Sequence, residues 1–527
     1  MGQSTFGRRR FVALAAVGGA AAVGLPLAGL RRAGPADART AAVTGGAHTT
    51  AAIGGAHTTT PAGGAHTTAA AGVDYPALKR ALTGRLLRPG DTGYDAAAQP
   101  FNAALGTRKP AAIARVATAA DVSATIRRVR GRGVPLAARS GGHSYAGFST
   151  PDHGVVVDLA ALRNVTVRAD GTAVVGAGAR LIDVYATLAA HGRALPGGSC
   201  ATVGISGSTL GGGIGVVARA YGLTCDHLRA ATVVTADGEI RAVDGNRDAD
   251  LFWALRGGGG GNGGIVTDFT FTTVPAPTVT IFSLHFPAAR SARVLQAWSA
   301  WVDAAPHHLS ALCAVTAAAT PTNRVTGTWT GPPAALAAQL ADLIAAVGAD
   351  PTSRVTHTYD YLSAMKYFAG CLNETVAACH PASSPGGTLS REAFRAASRM
   401  LKNRLSQATA DRIVDLLHRQ RGMVLLFDSL GGQVGAVSPT ETAFAHRAAQ
   451  ASVQVYSGNA GAGAAVVAVQ QALAPLVGSG AYVNYLNPAQ QDWATAYYGA
   501  NLPRLRRVIR HYDPDSVFTF AQSVLRA

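Results

Sequence analysis

Two glycine-rich stretches decide the fold: RSGGHSYAGF at residues 139–148 and PGGSCATVGISGSTLGGGIG at residues 196–215. The first closes a short apolar run at 134–139 that is typical of a strand. Its Ser-Gly-Gly turn lets bare backbone N–H groups approach a phosphate, and Arg139 can add positive charge there. The turn therefore delivers His143 beside an anionic ligand, although a Gly-Gly-His turn taken alone is more often only a turn.

The second stretch follows a predicted helix at 181–188 and surrounds Cys200 with glycines. It is not a P-loop, because no Gly-Lys-Ser/Thr ends it, and it is not a clean dinucleotide-binding fingerprint. So many glycines around one cysteine indicate an extended cofactor lying against the backbone, with Cys200 facing it. For Cys225 and Cys313 we predict the simpler state of buried thiols outside any disulfide.

The pattern of predicted helices and strands changes near residue 280. Before it, helical and strand patterns alternate, whereas strands at 281–286 and 324–329 are later interleaved with alanine-rich helices at 291–304 and 334–346. This order predicts an α+β protein whose second domain is an antiparallel sheet covered on one side by helices. A chain of 527 residues leaves room for two to three domains.

The N-terminus is typical of an export signal. The stretch at 7–30 is a basic cluster followed by an apolar run, and Ala-Asp-Ala at 36–38 suits a signal peptidase. Arg8 and Arg9, followed by Arg10 and Phe11, resemble a twin-arginine signal. We predict a signal at 1–38 and an extracellular or cell-wall location, without a stable membrane partner after cleavage. An uncleaved anchor is the alternative, since the apolar run approaches spanning length.

Residues 39–74 contain three GGAHTT repeats, which are too short and polar to bury a core and predict a flexible linker. The net charge of +17 does not predict a nucleic-acid partner, because the arginines are scattered and aromatic residues do not interleave with them. A basic surface could favour anionic substrates or cell-wall polymers. An arginine-rich composition without a selected partner is the simpler interpretation.

The two glycine-rich stretches together resemble the berberine-bridge-enzyme-like family of FAD-linked oxidases, within the vanillyl-alcohol-oxidase flavoprotein superfamily. The likeness continues through YGLTCDHL at 221–228, DADLFWALRGGGGGNGGIVTDFTF at 248–271, and the C-terminal segment. The resemblance implies three regions: a two-subdomain PCMH-type FAD-binding domain, a substrate-binding domain whose sheet covers the flavin ring, and a berberine-bridge-like segment that returns to the FAD domain. Their expected bounds are 75–279, 280–480 and 481–527.

In similar family members the histidine of the Gly-Gly-His motif bonds the flavin 8α-methyl group, and the cysteine of the Gly-Gly-x-Cys motif bonds flavin C6. Both motifs are intact, so the resemblance implies bicovalent FAD on His143 and Cys200. Imidazole and thiolate are nucleophiles that can add to an activated flavin ring. The other expected FAD-binding residues are Arg139, Ser140, Gly141, Gly142, Ser144, Gly147, Gly198, Ser199, Thr202, Gly204, Gly207, Gly211, Gly212, Gly213, Gly215, Gly264, Ile265 and Asn484.

The expected chemistry is hydride transfer from a substrate C–H to flavin N5, proton removal by a tyrosinate, and reoxidation by O₂ to give H₂O₂. If 482–485 is a strand, only one of Tyr482 and Tyr485 can face the flavin ring; Tyr482 is the first candidate for the base and Tyr485 the second. Because a free tyrosine has a pKa of about 10, the base needs a lowered pKa. Tyr145 is expected to line the pocket. Ile214 replaces a tyrosine of some bacterial relatives, which argues against their two-tyrosine mechanism.

The resemblance leaves two substrate classes open: the anomeric carbon of sugars and oligosaccharides, or an alcohol or amine of a secondary metabolite. Export favours the sugars. The rival functions are an FAD-dependent dehydrogenase that uses a non-oxygen acceptor and a non-catalytic secreted binding protein; the intact motifs argue against the latter. Cys371 and Cys379 lie eight residues apart, and an oxidising compartment would permit a disulfide between them.

Overall fold

The computed structural model describes residues 72–318 and 321–527. The predicted export signal and the three GGAHTT repeats lie outside the described residues. The first subdomain is a four-stranded sheet in the order β1-β2-β4-β3, in which β2, β4 and β3 are parallel and β1 is antiparallel. Its elements are α1 (Tyr75–Ala81), β1 (Arg85–Leu87), α2 (Tyr94–Ala98), β2 (Ala112–Arg115), α3 (Ala119–Val129), β3 (Leu136–Arg139) and β4 (Val155–Asp158).

The second subdomain is a five-stranded antiparallel sheet in the order β5-β6-β10-β8-β9, beside a two-stranded ladder of β7 and β11. Its apolar side chains form one core with those of the first subdomain. Its elements are β5 (Val165–Val167), β6 (Thr172–Gly176), α4 (Leu181–Ala190), β7 (Arg193–Ala194), α5 (Ile205–Leu210), α6 (Ala218–Tyr221), β8 (Leu228–Val234), β9 (Ile240–Asp244), α7 (Ala249–Leu255), β10 (Ile265–Thr272) and β11 (Val274–Pro275).

The third sheet has seven strands, all antiparallel, in the order β15-β12-β14-β13-β17-β18-β16. Four helices, α8, α9, α11 and α13, share an apolar core with one face of it, which confirms the predicted sheet covered by helices. The elements are β12 (Val279–Phe286), α8 (Ser291–Ala304), β13 (Leu309–Ala317), β14 (Thr322–Trp329), α9 (Leu336–Val347), β15 (Ser353–Tyr359), α10 (Tyr361–Ala369), β16 (Arg395–Leu401), α11 (Gln407–His418), β17 (Met423–Ser429), α12 (Gln433–Ala436), β18 (Ala451–Ser457) and α13 (Gly463–Val477).

The C-terminal segment contains a short 3₁₀ turn, Val483–Tyr485, and two helices, α14 (Trp493–Tyr498) and α15 (Leu502–Tyr512). The strand at 482–485 that was considered from the sequence is therefore not formed. Its backbone has no partner strand: the Tyr482 N–H donates to Ser398 Oγ at 2.9 Å, and the Tyr485 N–H closes the turn on the Tyr482 carbonyl. The segment packs on α7 through an apolar cluster that includes Val483, Leu505 and Ile509.

The cysteine predictions are confirmed. Cys371 and Cys379 form a disulfide, and Cys225 and Cys313 are buried thiols outside any disulfide. Across 72–318 and 321–527, no helix combines the length and apolar character that crossing a bilayer requires. The same residues contain no group of three or more His, Cys, Asp or Glu side chains arranged to hold a metal ion.

Candidate active site

The two glycine-rich stretches of the sequence meet backbone to backbone. A Cβ added to Gly141 would overlap the backbone nitrogen of Gly204, and one added to Gly204 would overlap the Ser140 side chain. Ser140 Oγ also donates to the Ala177 carbonyl at 2.7 Å, which fixes the first stretch on the second subdomain. Glycine is required at both positions because only a bare backbone permits this approach.

Both stretches line one cavity of about 700 Å³, within the range of cofactor pockets in proteins. His143 and Cys200 both line it, although they are far apart in sequence. A Cβ on Gly207 would meet no atom within 4 Å, so bare backbone faces open space there. Three lining residues carry a buried polar atom without a hydrogen-bond partner among the described residues: Arg108 at Nε, Ser149 at Oγ and Gln522 at Oε1. These atoms favour a polar ligand.

Most residues predicted for the cofactor site line this cavity. They are Ser140, Gly141, Gly142, His143, Ser144, Gly147, Gly198, Ser199, Cys200, Gly204, Gly207, Gly215, Gly264, Ile265 and Asn484. The three predicted tyrosines, Tyr145, Tyr482 and Tyr485, line it as well. Five predicted cofactor residues do not: Arg139, Thr202, Gly211, Gly212 and Gly213.

Three of these five residues, Arg139, Gly211 and Gly212, contact other parts of the protein instead. Arg139 is buried and its guanidinium donates to Asp158 at 2.8 Å, so its charge is compensated within the first sheet rather than offered to a phosphate. A Cβ on Gly211 would overlap the Asn484 side chain, and one on Gly212 would crowd the ring of Phe444. The second glycine stretch is therefore packed against the C-terminal third of the chain.

The imidazole of His143 is held on two sides. Its Nε2 lies 2.9 Å from Thr202 Oγ1, and the Phe101 ring stacks on it with centroids 3.8 Å apart and planes 17° apart. The Arg180 guanidinium donates to the Thr202 carbonyl at 2.7 Å. The histidine of the first stretch is thus oriented by a threonine of the second.

The disulfide segment supports the neighbourhood of Cys200. Ala201 packs in a small buried cluster with Ile182 and the disulfide of Cys371 and Cys379. The Ile182 N–H donates to the Ala201 carbonyl at 3.1 Å. Cys200 is therefore followed directly by a residue that packs on a cross-linked segment.

Tyr482 is a hydrogen-bond acceptor for three donors. Its hydroxyl oxygen lies 3.0 Å from Gly213 N, 3.1 Å from Ile214 N and 3.0 Å from Asn484 Nδ2. Burial raises the pKa of Tyr482 to about 12, even though these hydrogen bonds act to lower it. This direction is opposite to the one that the first candidate for the base requires.

Tyr485 is only half-buried and stacks on Tyr145, with ring centroids 5.1 Å apart and planes 15° apart. The edge of its ring also contacts Tyr482, at a centroid distance of 5.0 Å. The Tyr145 hydroxyl accepts a hydrogen bond from Gln454 Nε2 at 2.7 Å. The 3₁₀ turn brings both C-terminal tyrosines to the cavity, whereas a strand would have placed them on opposite faces.

Comparison with known proteins agrees with this geometry. Residues 110–244 match a family model for an FAD binding domain, and residues 481–525 match one described as berberine and berberine like. The chain is 33% identical to the uncharacterized FAD-linked oxidoreductase YgaK of Bacillus subtilis, over 85% of this chain and 98% of that protein. The protein belongs to the berberine-bridge-enzyme-like family of FAD-linked oxidoreductases. It is therefore an FAD-dependent enzyme.

Two further relatives of this berberine-bridge-like protein carry assigned activities. The chitooligosaccharide oxidase of Gibberella zeae is 31% identical over 79% of this chain and 87% of that protein. A solved structure of glucooligosaccharide oxidase from Acremonium strictum, which contains 6-S-cysteinyl, 8α-N1-histidyl FAD, has a TM-score of 0.76 and is 28% identical. That match covers 85% of this chain and 98% of the solved chain.

Asp428 is a cavity residue of this berberine-bridge-like enzyme that the sequence analysis missed. It lies on β17 and lines the same cavity as Tyr485. Burial raises the pKa of Asp428 to about 7, so its charge changes near neutral pH. The signal was present in MVLLFDS, where a carboxylate interrupts an apolar strand, but the face it occupies follows only from the sheet.

Proposed function

We propose that the protein is an oxidase that acts on a hydroxyl-bearing carbon of a sugar or oligosaccharide, with FAD bonded to His143 and Cys200. The observation that carries the proposal is a single cavity lined by both nucleophiles together with Tyr145, Tyr485 and Asp428. The oligosaccharide-oxidase relatives, at about 30% identity, support the substrate class.

The protein's part in the proposed chemistry is to hold FAD and to remove one proton. FAD, when bound, supplies the hydride acceptor and passes the electrons to O₂. The bare backbone of the two glycine stretches leaves room for the cofactor, and the two side-chain bonds reduce the need for other contacts. The substrate side of the cavity can then remain open to a bulky saccharide.

Within the proposal, Tyr485 removes the substrate hydroxyl proton at its Oη. Tyr482 is less suited, because burial raises its pKa to about 12 and its oxygen already accepts three hydrogen bonds. Tyr145 holds the Tyr485 ring by stacking. Asp428 adds a carboxyl group that can exchange a proton near neutral pH, because burial raises its pKa to about 7.

The proposal also includes export by the twin-arginine route, on the basis of the basic cluster at 8–10 and the apolar run that follows. Replacing Arg8 and Arg9 by lysine is expected to keep the enzyme inside the cell. Export at the parent level by this variant would contradict the assignment, and Arg31→Lys is the matched control.

The first experiment is acid precipitation of the purified protein. A yellow pellet is expected for the parent, for His143→Ala and for Cys200→Ala, because one bond is enough to retain the flavin, whereas the double variant releases it. Full release from the parent would contradict covalent attachment.

The second experiment is anaerobic flavin reduction by cello-, xylo- and chitooligosaccharides. Reduction of Tyr485→Phe is expected to be about 10²- to 10⁴-fold slower than that of the parent, the usual contribution of a general base. Reduction at the parent rate would contradict the tyrosine base. Peroxide should form when O₂ is admitted; dye reduction without peroxide would instead indicate the dehydrogenase.

A further inference from the structure

Thr202 is a predicted cofactor residue that the cavity does not include, yet it contacts a residue that the proposed function requires. Its Oγ1 lies 2.9 Å from His143 Nε2, and its side chain is buried, with 3% of the residue exposed. The Arg180 guanidinium fixes the Thr202 backbone by donating to its carbonyl at 2.7 Å. Thr202 is therefore held in place from one side and presents its hydroxyl to the imidazole from the other.

We propose that Thr202 is the positioning residue for flavin attachment to His143: its hydroxyl oxygen accepts the Nε2 proton and so directs bond formation to Nδ1. The inference rests on the proposed function, because it requires that His143 bonds the flavin. An imidazole with its proton on Nε2 has a nucleophilic lone pair on Nδ1. A hydrogen bond to one ring nitrogen thereby selects the reactivity of the other.

The attachment reaction needs no other reacting group of the protein, because O₂ accepts the electrons and protons that are released. The flavin 8α-methyl carbon loses one hydrogen, the imidazole loses one hydrogen, and a C–N bond joins them. The two protons and the released electron pair convert one O₂ to H₂O₂. Thr202 Oγ1 holds the imidazole proton at Nε2 until the bond has formed, and it is not consumed.

The stacking of Phe101 on the imidazole supports the same role. With ring centroids 3.8 Å apart, Phe101 restricts rotation of the imidazole out of its plane, and the Thr202 hydroxyl fixes its angle within that plane. The two contacts come from different parts of the chain. Together they restrict the orientation of the ring, which favours a reaction at one nitrogen.

The test compares the full-length parent with Thr202→Val and Thr202→Ser. Each protein is purified soon after synthesis and incubated with FAD in air, and digests are analysed by mass spectrometry for flavin on the His143 and Cys200 peptides. Thr202→Val is expected to slow His143 attachment about tenfold or more, the size of one lost hydrogen bond. Thr202→Ser should restore it, and Cys200 attachment should stay within twofold of the parent.

The outcomes separate this inference from the proposed function. Flavin on His143 of the parent, with the parent rate in Thr202→Val, overturns the role of Thr202 alone. No flavin on His143 of the parent overturns the proposed attachment and this inference with it. An equal loss at His143 and Cys200 would show a merely structural role and also overturns the inference. If Thr202→Val does not fold, Thr202→Ala, which also lacks the hydroxyl, is measured in its place with the same criteria.

Discussion

The two faces of the seven-stranded sheet are built from the same strands but serve different purposes. On β17, Leu425 and Phe427 point into the core under helices α8 and α11, whereas Leu426 and Asp428 point to the other side. Asp428 reaches the cavity. One face thus stabilises the fold by apolar burial, and the other carries a carboxyl group at a cost in stability. Adjacent residues of one strand should therefore respond to substitution with opposite signs.

The largest effect is expected on the helix-covered face. Phe427 is fully buried and packs edge-to-face on Trp298, with ring centroids 6.0 Å apart. Phe427→Ala should lower the free energy of unfolding by about 3–5 kcal/mol, because it removes apolar burial and leaves a cavity. Denaturant unfolding of the flavin-loaded enzyme measures this. The exposed Thr356→Ala is the control, and a loss below about 1 kcal/mol would break the contrast between the faces.

The next effect has the opposite sign and depends on pH. Because burial raises the pKa of Asp428 from 3.8 to about 7, the folded state retains a proton between these pH values that the unfolded chain has lost. Stability from this group therefore falls as pH rises from about 4 to 7, by up to about 4 kcal/mol. In Asp428→Asn the free energy of unfolding should not show this decrease with pH. At pH 8 the variant should therefore unfold at a higher denaturant concentration than the parent.

The same variant tests the role of Asp428 in the chemistry. In the parent, the rate of flavin reduction should change with pH around an ionisation near pH 7. Asp428→Asn should show no such pH dependence. Above pH 7 its rate should be about tenfold lower than that of the parent. Asp415→Asn, an exposed position on α11, is the matched control. Identical pH profiles of the parent and Asp428→Asn would exclude the carboxyl group from the reaction.

The smallest effect is expected at Tyr482, where the C-terminal segment meets the second glycine stretch. Tyr482→Phe leaves the N–H groups of Gly213 and Ile214 without their acceptor, which should cost about 2 kcal/mol of stability. Anaerobic flavin reduction should stay within about threefold of the parent. A hundredfold slower reduction would instead identify Tyr482 as the base, and Tyr485 would then only line the pocket.

Helices and strands could be predicted from local sequence patterns, whereas the side of the sheet on which a residue lies could not. Helix Ser291–Ala304 and strand Val279–Phe286 follow local patterns, and the predictions at 291–304 and 281–286 agree with them closely. His143 and Cys200 could be singled out because each lies in a glycine-rich motif that is evident in the sequence itself. Asp428 could not be placed, because which side of β17 faces the cavity depends on pairing with strands far away in sequence.

Two further differences have tertiary causes. Arg139 was expected to bind a phosphate, because it is a cation beside a glycine turn. In the structure Asp158 lies opposite it on the parallel neighbour β4, and the two side chains form a salt bridge. The segment at 482–485 has strand-forming residues, yet its backbone forms no ladder with the neighbouring strand β16, and the Ser398 side chain of that strand accepts the Tyr482 N–H instead. In both places a contact between distant segments overrides the local preference.

The return of the C-terminal segment to the glycine stretches has a consequence for biosynthesis. Tyr482, Asn484, Tyr485 and Phe520 all line the cavity, although they lie far behind both glycine stretches in the sequence. One wall of the pocket is therefore missing until residues 481–520 have been synthesised. A variant truncated shortly before residue 481 is expected to retain less flavin than the parent.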